Sequence, residues 1–144
     1  MIDPRPFMSV PFLLHGRTMA GADCLGLTEL VLASRGIALP DDWHAQARSL
    51  WADESTALRR FAPPGWDTIE RPAGGWARPV LFAPADILAT GHDGIAQHVA
   101  PVVDPHYALH TRAAWTPRLV QHEQIRDHIL WVWRHPESLR RFAS

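Results

Sequence analysis

The residues of this chain best suited to chemistry are one cysteine and two histidines. Cys24, the single cysteine, lies in Gly21-Ala22-Asp23-Cys24-Leu25-Gly26-Leu27, where the pattern predicts that an irregular segment becomes an apolar helix. A thiol at a helix N-terminus lies at the positive end of the helix dipole, which lowers its pKa and favours the nucleophilic thiolate. His98 and His110 follow far downstream, twelve positions apart. Two strands joined by a tight turn at Asp104-Pro105 would place them side by side.

We predict that Cys24 is the nucleophile, His98 the general base and acid, and His110 the residue that orients His98. Backbone N–H groups at the start of the helix, including that of Cys24, would bind the oxyanion of the reaction. Each assignment has a structural alternative. A lone cysteine in a small domain is commonly a buried apolar residue, and these histidines can serve as a core residue and a surface residue.

Nine histidines also raise the alternative of a zinc hydrolase. The candidate ligands would be His92, His98, His106 and His110, but their spacing is loose. The sequence contains no His-Glu-x-x-His motif and no pair of cysteines. We therefore expect no metal site and no cofactor.

Composition limits the classes of protein to which the chain can belong. Its 144 residues, 47% of them hydrophobic, predict one domain over residues 1–144. A formal net charge of −1 argues against a nucleic-acid partner. A single cysteine forms no internal disulfide, and no run of about 18 apolar residues predicts insertion in a membrane. The first residues lack the pattern of a secretory signal, so we expect synthesis in the cytoplasm.

The elements that position these residues are predicted as α+β. The helix that carries Cys24 begins at Asp23 or Cys24 and stops at Arg35-Gly36. A second helix follows Pro40, with Trp43, Ala47, Leu50 and Trp51 on one face, and residues 57–61 are a candidate continuation.

After a short strand at residues 66–70, the pattern becomes that of a sheet. Adjacent antiparallel strands are predicted in four segments, residues 79–82, 86–88, 97–103 and 106–110. A polar helical stretch at residues 121–127 then precedes a closing strand at residues 129–133. The main helix therefore comes first and the sheet after it.

Six short motifs, in this order, resemble the NlpC-type cell-wall cysteine peptidases, a bacterial branch of the papain-like proteins. They are Pro11-Phe12, His15-Gly16-Arg17, Asp23-Cys24-Leu25-Gly26-Leu27, Ala85-Asp86-Ile87-Leu88, His98-Val99-Ala100 and Leu109-His110. The resemblance covers roughly residues 11–134. It implies a papain-like fold in which the cysteine helix packs on an antiparallel sheet. It also implies the thiol hydrolysis of an amide in the peptidoglycan stem peptide, commonly between D-glutamate and the diamino acid.

The closest resemblance is to small peptidases of phage tail modules and gene transfer agents. Those proteins also lack a serine after the cysteine, and they end on a segment like Arg134-His135-Pro136. This implies tail-tip or hub proteins as partners and a phage-like tail that presents the enzyme to the cell wall. Arg17 and Asp23 become candidates for binding substrate, although Arg17 can equally pair with an internal carboxylate and Asp23 can equally cap the helix.

The chain departs from the family pattern at three positions. Phe12 stands where the family usually has a tyrosine, His15 replaces a glycine or glutamine, and Ala85 replaces a glycine. The absent tyrosine hydroxyl favours the competing hypothesis of a structural tail-tip component that keeps the fold without turnover.

Overall fold

The computed structural model describes residues 1–51, 61–93 and 95–138, without the side chains of residues 50 and 51. The described residues include the α-helices α1 (Cys24–Ala33) and α2 (Asp41–Trp51). The strands are β1 (Arg17–Thr18), β2 (Gly21–Ala22), β3 (Asp67–Glu70), β4 (Ile87–His92), β5 (Ile95–Pro101), β6 (Tyr107–His110), β7 (Arg118–Gln121) and β8 (Ile129–Arg134). Two 3-10 helices cover Arg5–Phe7 and His122–His128.

The main sheet has the strand order β3-β8-β4-β5, and every neighbouring pair is antiparallel. β1 pairs with β2, and β6 pairs with β7, in two further antiparallel ladders. A single bridge between Val102 and Ala108 connects the end of β5 with β6. The predicted closing strand is therefore present as β8, but it lies in the middle of the sheet, where Ile129–Trp133 are all buried.

Apolar side chains alternate between the two faces of this sheet, because successive residues of a strand point to opposite sides. Ile87 and Ala89 of β4 pack into the larger core, which also contains Leu25 and Val31 of α1. Leu88 packs into a second, smaller core on the other face. α1 therefore covers one face of the sheet and lies against β5.

The two predicted helices begin where the sequence indicates. Asp23 is the N-cap of α1, and the chain leaves the helix through Ser34 before Gly36, whose φ of 79° suits glycine. α2 begins at Asp41, and Trp43 and Ala47 are buried as predicted. The proposed continuation at residues 57–61 lies largely outside the described residues, and Phe61 itself is not helical.

The strand predicted at residues 79–82 is wrong. Val80 and Phe82 are buried and Leu81 is exposed, which is the alternation of a strand. Their backbone N–H groups are used elsewhere, however: that of Val80 donates to the Glu123 carboxylate and that of Phe82 to the Pro105 carbonyl. Residues 106–110 do form a strand, but β6 pairs with β7 rather than extending the main sheet. None of the described helices is long and apolar enough to cross a membrane.

Candidate active site

Cys24 is the first residue of α1, and the turn around Gly16 packs closely against this end of the helix. A Cβ atom on Gly26 would lie 1.9 Å from the Gly16 carbonyl oxygen, so only glycine allows this approach. The Asp23 carboxylate holds both segments, because Oδ1 accepts from the Gly26 N–H at 3.0 Å and Oδ2 from the His15 N–H at 2.8 Å. The motif residues around the cysteine therefore fix where the helix begins.

Cys24 packs against the larger core, which includes Val99 of β5. Burial raises the pKa of Cys24 to about 11, and hydrogen bonds from the backbone of Val99 and Leu25 only partly oppose this effect. The expectation that the helix N-terminus lowers the thiol pKa is therefore wrong for the resting protein. Burial raises the thiol pKa because it disfavours the charged thiolate.

His98 and His110 lie side by side, as their spacing predicts. His98 Nε2 is 3.2 Å from His110 Nδ1, and the ring centroids are 5.1 Å apart. The turn between their strands is built by Asp104, whose Oδ1 accepts from the N–H groups of His106 and Tyr107 at 2.8 and 2.9 Å. This turn at Asp104-Pro105 brings β6 back alongside the end of β5.

Both imidazoles are neutral in the resting protein. Burial, with the positive charge of Arg112 as a smaller cause, lowers the pKa of His98 to about 4. Burial also lowers the pKa of His110 to about 3, with further contributions from its histidine neighbours and Arg112. Because His98 Nε2 faces His110, Nδ1 is the remaining ring nitrogen of His98. Cys24 packs against the larger core that includes Val99, the residue that follows His98 on β5, but among the described residues no hydrogen bond joins the Cys24 thiol to His98.

A cleft of about 330 Å³ opens beside the two histidines. Its walls include His98 and His110, the pair of His92 and His128, whose ring centroids are 4.5 Å apart, and Arg112. Thr111, which follows His110, also lines the cleft and is buried. This side of the imidazole pair is therefore polar and carries one permanent positive charge.

Asp23 and Arg17 are engaged within the protein. Arg48 of α2 donates to both Asp23 oxygens, and Asp23 is only 3% exposed. Burial acts to raise the Asp23 pKa, but hydrogen bonds from Arg48 and from two backbone N–H groups hold it below its usual value. Arg17 donates to Glu29 at 2.9 Å and to Asp41 at 3.1 Å. Asp23 therefore caps the helix and Arg17 pairs with internal carboxylates, as the alternative assignments state. Contact of either residue with substrate stays a prediction.

Sequence reasoning missed the partners of two buried carboxylates, Asp23 at the start of α1 and Asp86 just before β4. Arg48 also lies 3.4 Å from His44, which in turn hydrogen-bonds to Glu29. Asp86 is fully buried and accepts from the Arg134 guanidinium at 2.7 and 3.0 Å. The i, i+4 spacing of His44 and Arg48 is visible in the sequence, but nothing in it links α2 to Asp23.

One departure from the family pattern, Ala85 in place of a glycine, can be compared with the backbone conformation at that position. Its φ is 74°, in the left-handed region where glycine is favoured, and it is buried. The backbone conformation that a glycine would adopt is therefore kept with an alanine. In the part of the chain that the structure describes, no group of three or more His, Cys, Asp or Glu side chains is placed to hold a metal ion.

No family model and no curated protein matches the sequence, but thirteen chains of solved structures match the fold. One is the NlpC/p60 domain of the peptidoglycan hydrolase SagA, with a TM-score of 0.55, 15% identity and 89% of each chain covered. Another is an NlpC/p60 family protein from Bacillus cereus, with a TM-score of 0.54 and 18% identity over 90% of this chain and 36% of that one. The fold predicted from the motifs is confirmed: this chain has the papain-like α+β fold of NlpC/p60 domains.

Proposed function

We propose that this protein is a cysteine peptidase that hydrolyses amide bonds in peptidoglycan stem peptides, with the D-glutamyl-diamino acid bond as its target. The observation that carries the proposal is the arrangement of three side chains. Cys24 begins a helix that packs on β5, His98 lies on that strand, and His98 Nε2 is 3.2 Å from His110 Nδ1. This arrangement supports the assignment of Cys24 as the nucleophile, His98 as the base and His110 as the orienting group.

The proposed reaction begins from a neutral pair. His98 Nδ1 takes the proton of the Cys24 thiol as the sulfur attacks the amide carbonyl carbon, and backbone N–H groups at the start of α1 stabilise the oxyanion. The C–N bond then breaks, and the His98 imidazolium gives its proton to the leaving amine. Water, deprotonated by His98, attacks the resulting thioester and releases the carboxylic acid and the thiol.

His110 supports the charged state of His98 in this scheme. The His98 imidazolium donates from Nε2 to His110 Nδ1, which keeps Nδ1 directed toward the sulfur. Because the Cys24 pKa is raised to about 11 and that of His98 lowered to about 4, a stable thiolate-imidazolium pair is unfavourable before substrate binds. Proton transfer therefore accompanies attack rather than preceding it.

We further propose that the enzyme is made in the cytoplasm and acts on the cell wall from a phage-like tail, next to tail-tip or hub proteins. The support is the resemblance of Asp23-Cys24-Leu25-Gly26-Leu27 and Arg134-His135-Pro136 to the small peptidases of phage tails. Mass spectrometry of purified particles, and of proteins crosslinked to this chain within them, tests this context. Absence of the chain from such particles would refute it.

A second candidate function is that of a structural tail component. It is favoured by the raised thiol pKa and by Phe12 in place of a tyrosine. Such a protein would bind its neighbours through the same fold and would leave peptidoglycan intact.

The deciding experiment is digestion of purified peptidoglycan by the wild-type protein and by the variants Cys24→Ala and Cys24→Ser, with products identified by mass spectrometry. Circular dichroism of all three proteins establishes that they are folded. New stem-peptide fragments from the wild type alone support the peptidase and identify the bond. Absence of fragments from folded wild-type protein, across wall types that differ in their diamino acid, favours the structural role.

A further inference from the structure

The cleft beside His98 and His110 has the chemistry of an anion site. Its polar walls are formed by four imidazoles, the guanidinium of Arg112, and the side chains of Thr90, Gln97 and Thr111. Among the described residues that line it there is no aspartate or glutamate. A cavity with a permanent positive charge and no carboxylate of its own is suited to a ligand that brings a negative charge.

Two residues that line the cleft each carry a buried side-chain atom that lacks a hydrogen-bond partner within the described residues. These atoms are Nε2 of His110 and Oγ1 of Thr111, and Thr111 is only 2% exposed. Buried polar groups are nearly always hydrogen-bonded, because burial removes the water that would otherwise satisfy them. A ligand in the cleft that accepts hydrogen bonds from both atoms would satisfy them.

The role of His98 fixes which atom of His110 carries the proton. If His98 accepts the thiol proton at Nδ1, its Nε2–H must donate to His110 Nδ1. His110 is then protonated at Nε2, the atom that has no partner. In the proposed reaction the donors would then follow one direction, from the thiol through both rings to an N–H that has no acceptor in the described chain.

Arg112 supplies the charge that matches such a ligand. Its guanidinium lies 4.0 Å from the centroid of the Trp115 ring, and that of Arg118 lies at the same distance from the same ring. Neither arginine has a carboxylate partner among the described residues. Stacking on the indole orders the Arg112 side chain while its N–H groups stay free to donate.

We propose that the cleft binds a carboxylate group of the substrate, which pairs with Arg112 and accepts hydrogen bonds from the Thr111 hydroxyl and from His110 Nε2–H. The identification of the ligand as a substrate group rests on the proposed function. A carboxylate bound there completes the chain of hydrogen bonds behind His98. The substrate thus supplies the acidic partner that holds the imidazolium once the thiol proton has moved.

A carboxylate bound in the cleft would also change the pKa values of the two histidines. Without a ligand, the charge of Arg112 contributes to the lowered pKa values of both histidines. A bound carboxylate neutralises that charge and raises the pKa of His98, so the base becomes effective when the substrate is in place. Peptides whose carboxylate is amidated would lack this activation.

Binding is tested with acetate, the smallest carboxylate, against acetamide, its neutral counterpart of nearly the same shape. Protein labelled with 15N is titrated at pH 7 and constant ionic strength, and the ring nitrogens of His98 and His110 and the amide of Thr111 are followed by NMR. We expect saturable shifts with acetate alone, at least tenfold weaker binding in Arg112→Ala and partial retention in Arg112→Lys. Arg5→Ala, an exposed arginine paired with Asp3, serves as the matched control and should bind like the wild type.

Shifts that do not saturate, or that are the same with acetamide or in folded Arg112→Ala, would overturn the proposal. The rate of Cys24 alkylation by iodoacetamide gives a second measurement: saturating acetate should raise it several-fold in the wild type and leave Arg112→Ala unchanged. Neither experiment needs peptidoglycan. Acetate binding without any digestion would therefore refute the proposed function and support the site, whereas digestion without acetate binding would refute the site alone.

Discussion

His98 Nε2 and His110 Nδ1 are 3.2 Å apart although their strands, β5 and β6, belong to different ladders. The contact is made by the turn at Asp104, which returns the chain immediately after β5 ends. The pair is thus held by local chain geometry, whereas Cys24 belongs to a helix that is distant in the sequence.

Replacement of His110 tests the orienting role. We expect His110→Ala to lower kcat on stem-peptide substrates by about a hundredfold or more, because His98 loses the acceptor for its Nε2–H. His110→Asn keeps an acceptor and should lose less. His106→Ala, an exposed histidine of the same turn, is the control and should retain wild-type kcat. Equal activity of His110→Ala and wild type would remove His110 from the mechanism.

The pH dependence of Cys24 alkylation tests the state of the thiol. With a pKa raised to about 11, only a small fraction of the thiol is ionised at neutral pH. The alkylation rate in iodoacetamide should therefore rise about tenfold per pH unit from pH 7 to beyond pH 9, with N-acetylcysteine as the reference thiol. A plateau below pH 8 would show instead that the helix dipole and His98 stabilise the thiolate at rest.

Acid stability tests the buried imidazoles. The pKa values of His98 and His110 are lowered to about 4 and 3, below the usual 6.5, so the unfolded chain binds protons more readily as the pH falls. Their contribution to stability is complete above about pH 7 and is lost progressively down to their folded pKa values. We expect the free energy of unfolding in urea to fall by about 3 kcal/mol between pH 7 and pH 5.

The double variant His98→Gln/His110→Gln should lose most of this dependence. His106→Gln should keep it, because His106 is exposed. If the double variant and the wild type lose stability in parallel over this range, the imidazoles are not buried in their neutral form.

The Asp23–Arg48 pair tests how the start of α1 is held. Arg48→Ala leaves a carboxylate that is 3% exposed without its cationic partner, and we expect a loss of about 3 kcal/mol in the free energy of unfolding. Arg5→Ala removes an exposed ion pair with Asp3 and should cause no measurable change. Similar stabilities of the two variants in urea would show that Asp23 is satisfied by its two backbone N–H groups alone.

Much of the site could be predicted because it depends on local signals. The cap at Asp23, the start of α1 and the turn at Asp104 are each set by a few neighbouring residues, so the sequence indicates them directly. The spacing of His98 and His110 then follows from that turn. The predicted decrease of the thiol pKa was wrong because the pKa depends on burial in the core, and burial is a property of tertiary packing.

What could not be predicted depends on distant partners. The Asp23–Arg48 pair joins two helices, and the central position of β8 depends on pairing with β3 and β4. The segment 79–82 alternates like a strand, yet Glu123 and Pro105 take its N–H groups. Thr111 and Arg112 carry no motif, and only the shape of the cleft distinguishes them.

The central position of β8 has a consequence for how the protein is made. β3 and β4 are both translated before β8, but neither gains its shared neighbour until residues 129–134 emerge from the ribosome. Completion of the sheet therefore waits until long-range pairing with β8 becomes possible. A nascent chain that includes Cys24 but not β8 lacks the complete sheet to which β5 belongs. The proposed peptidase would therefore become active only after residues 129–134 have been translated.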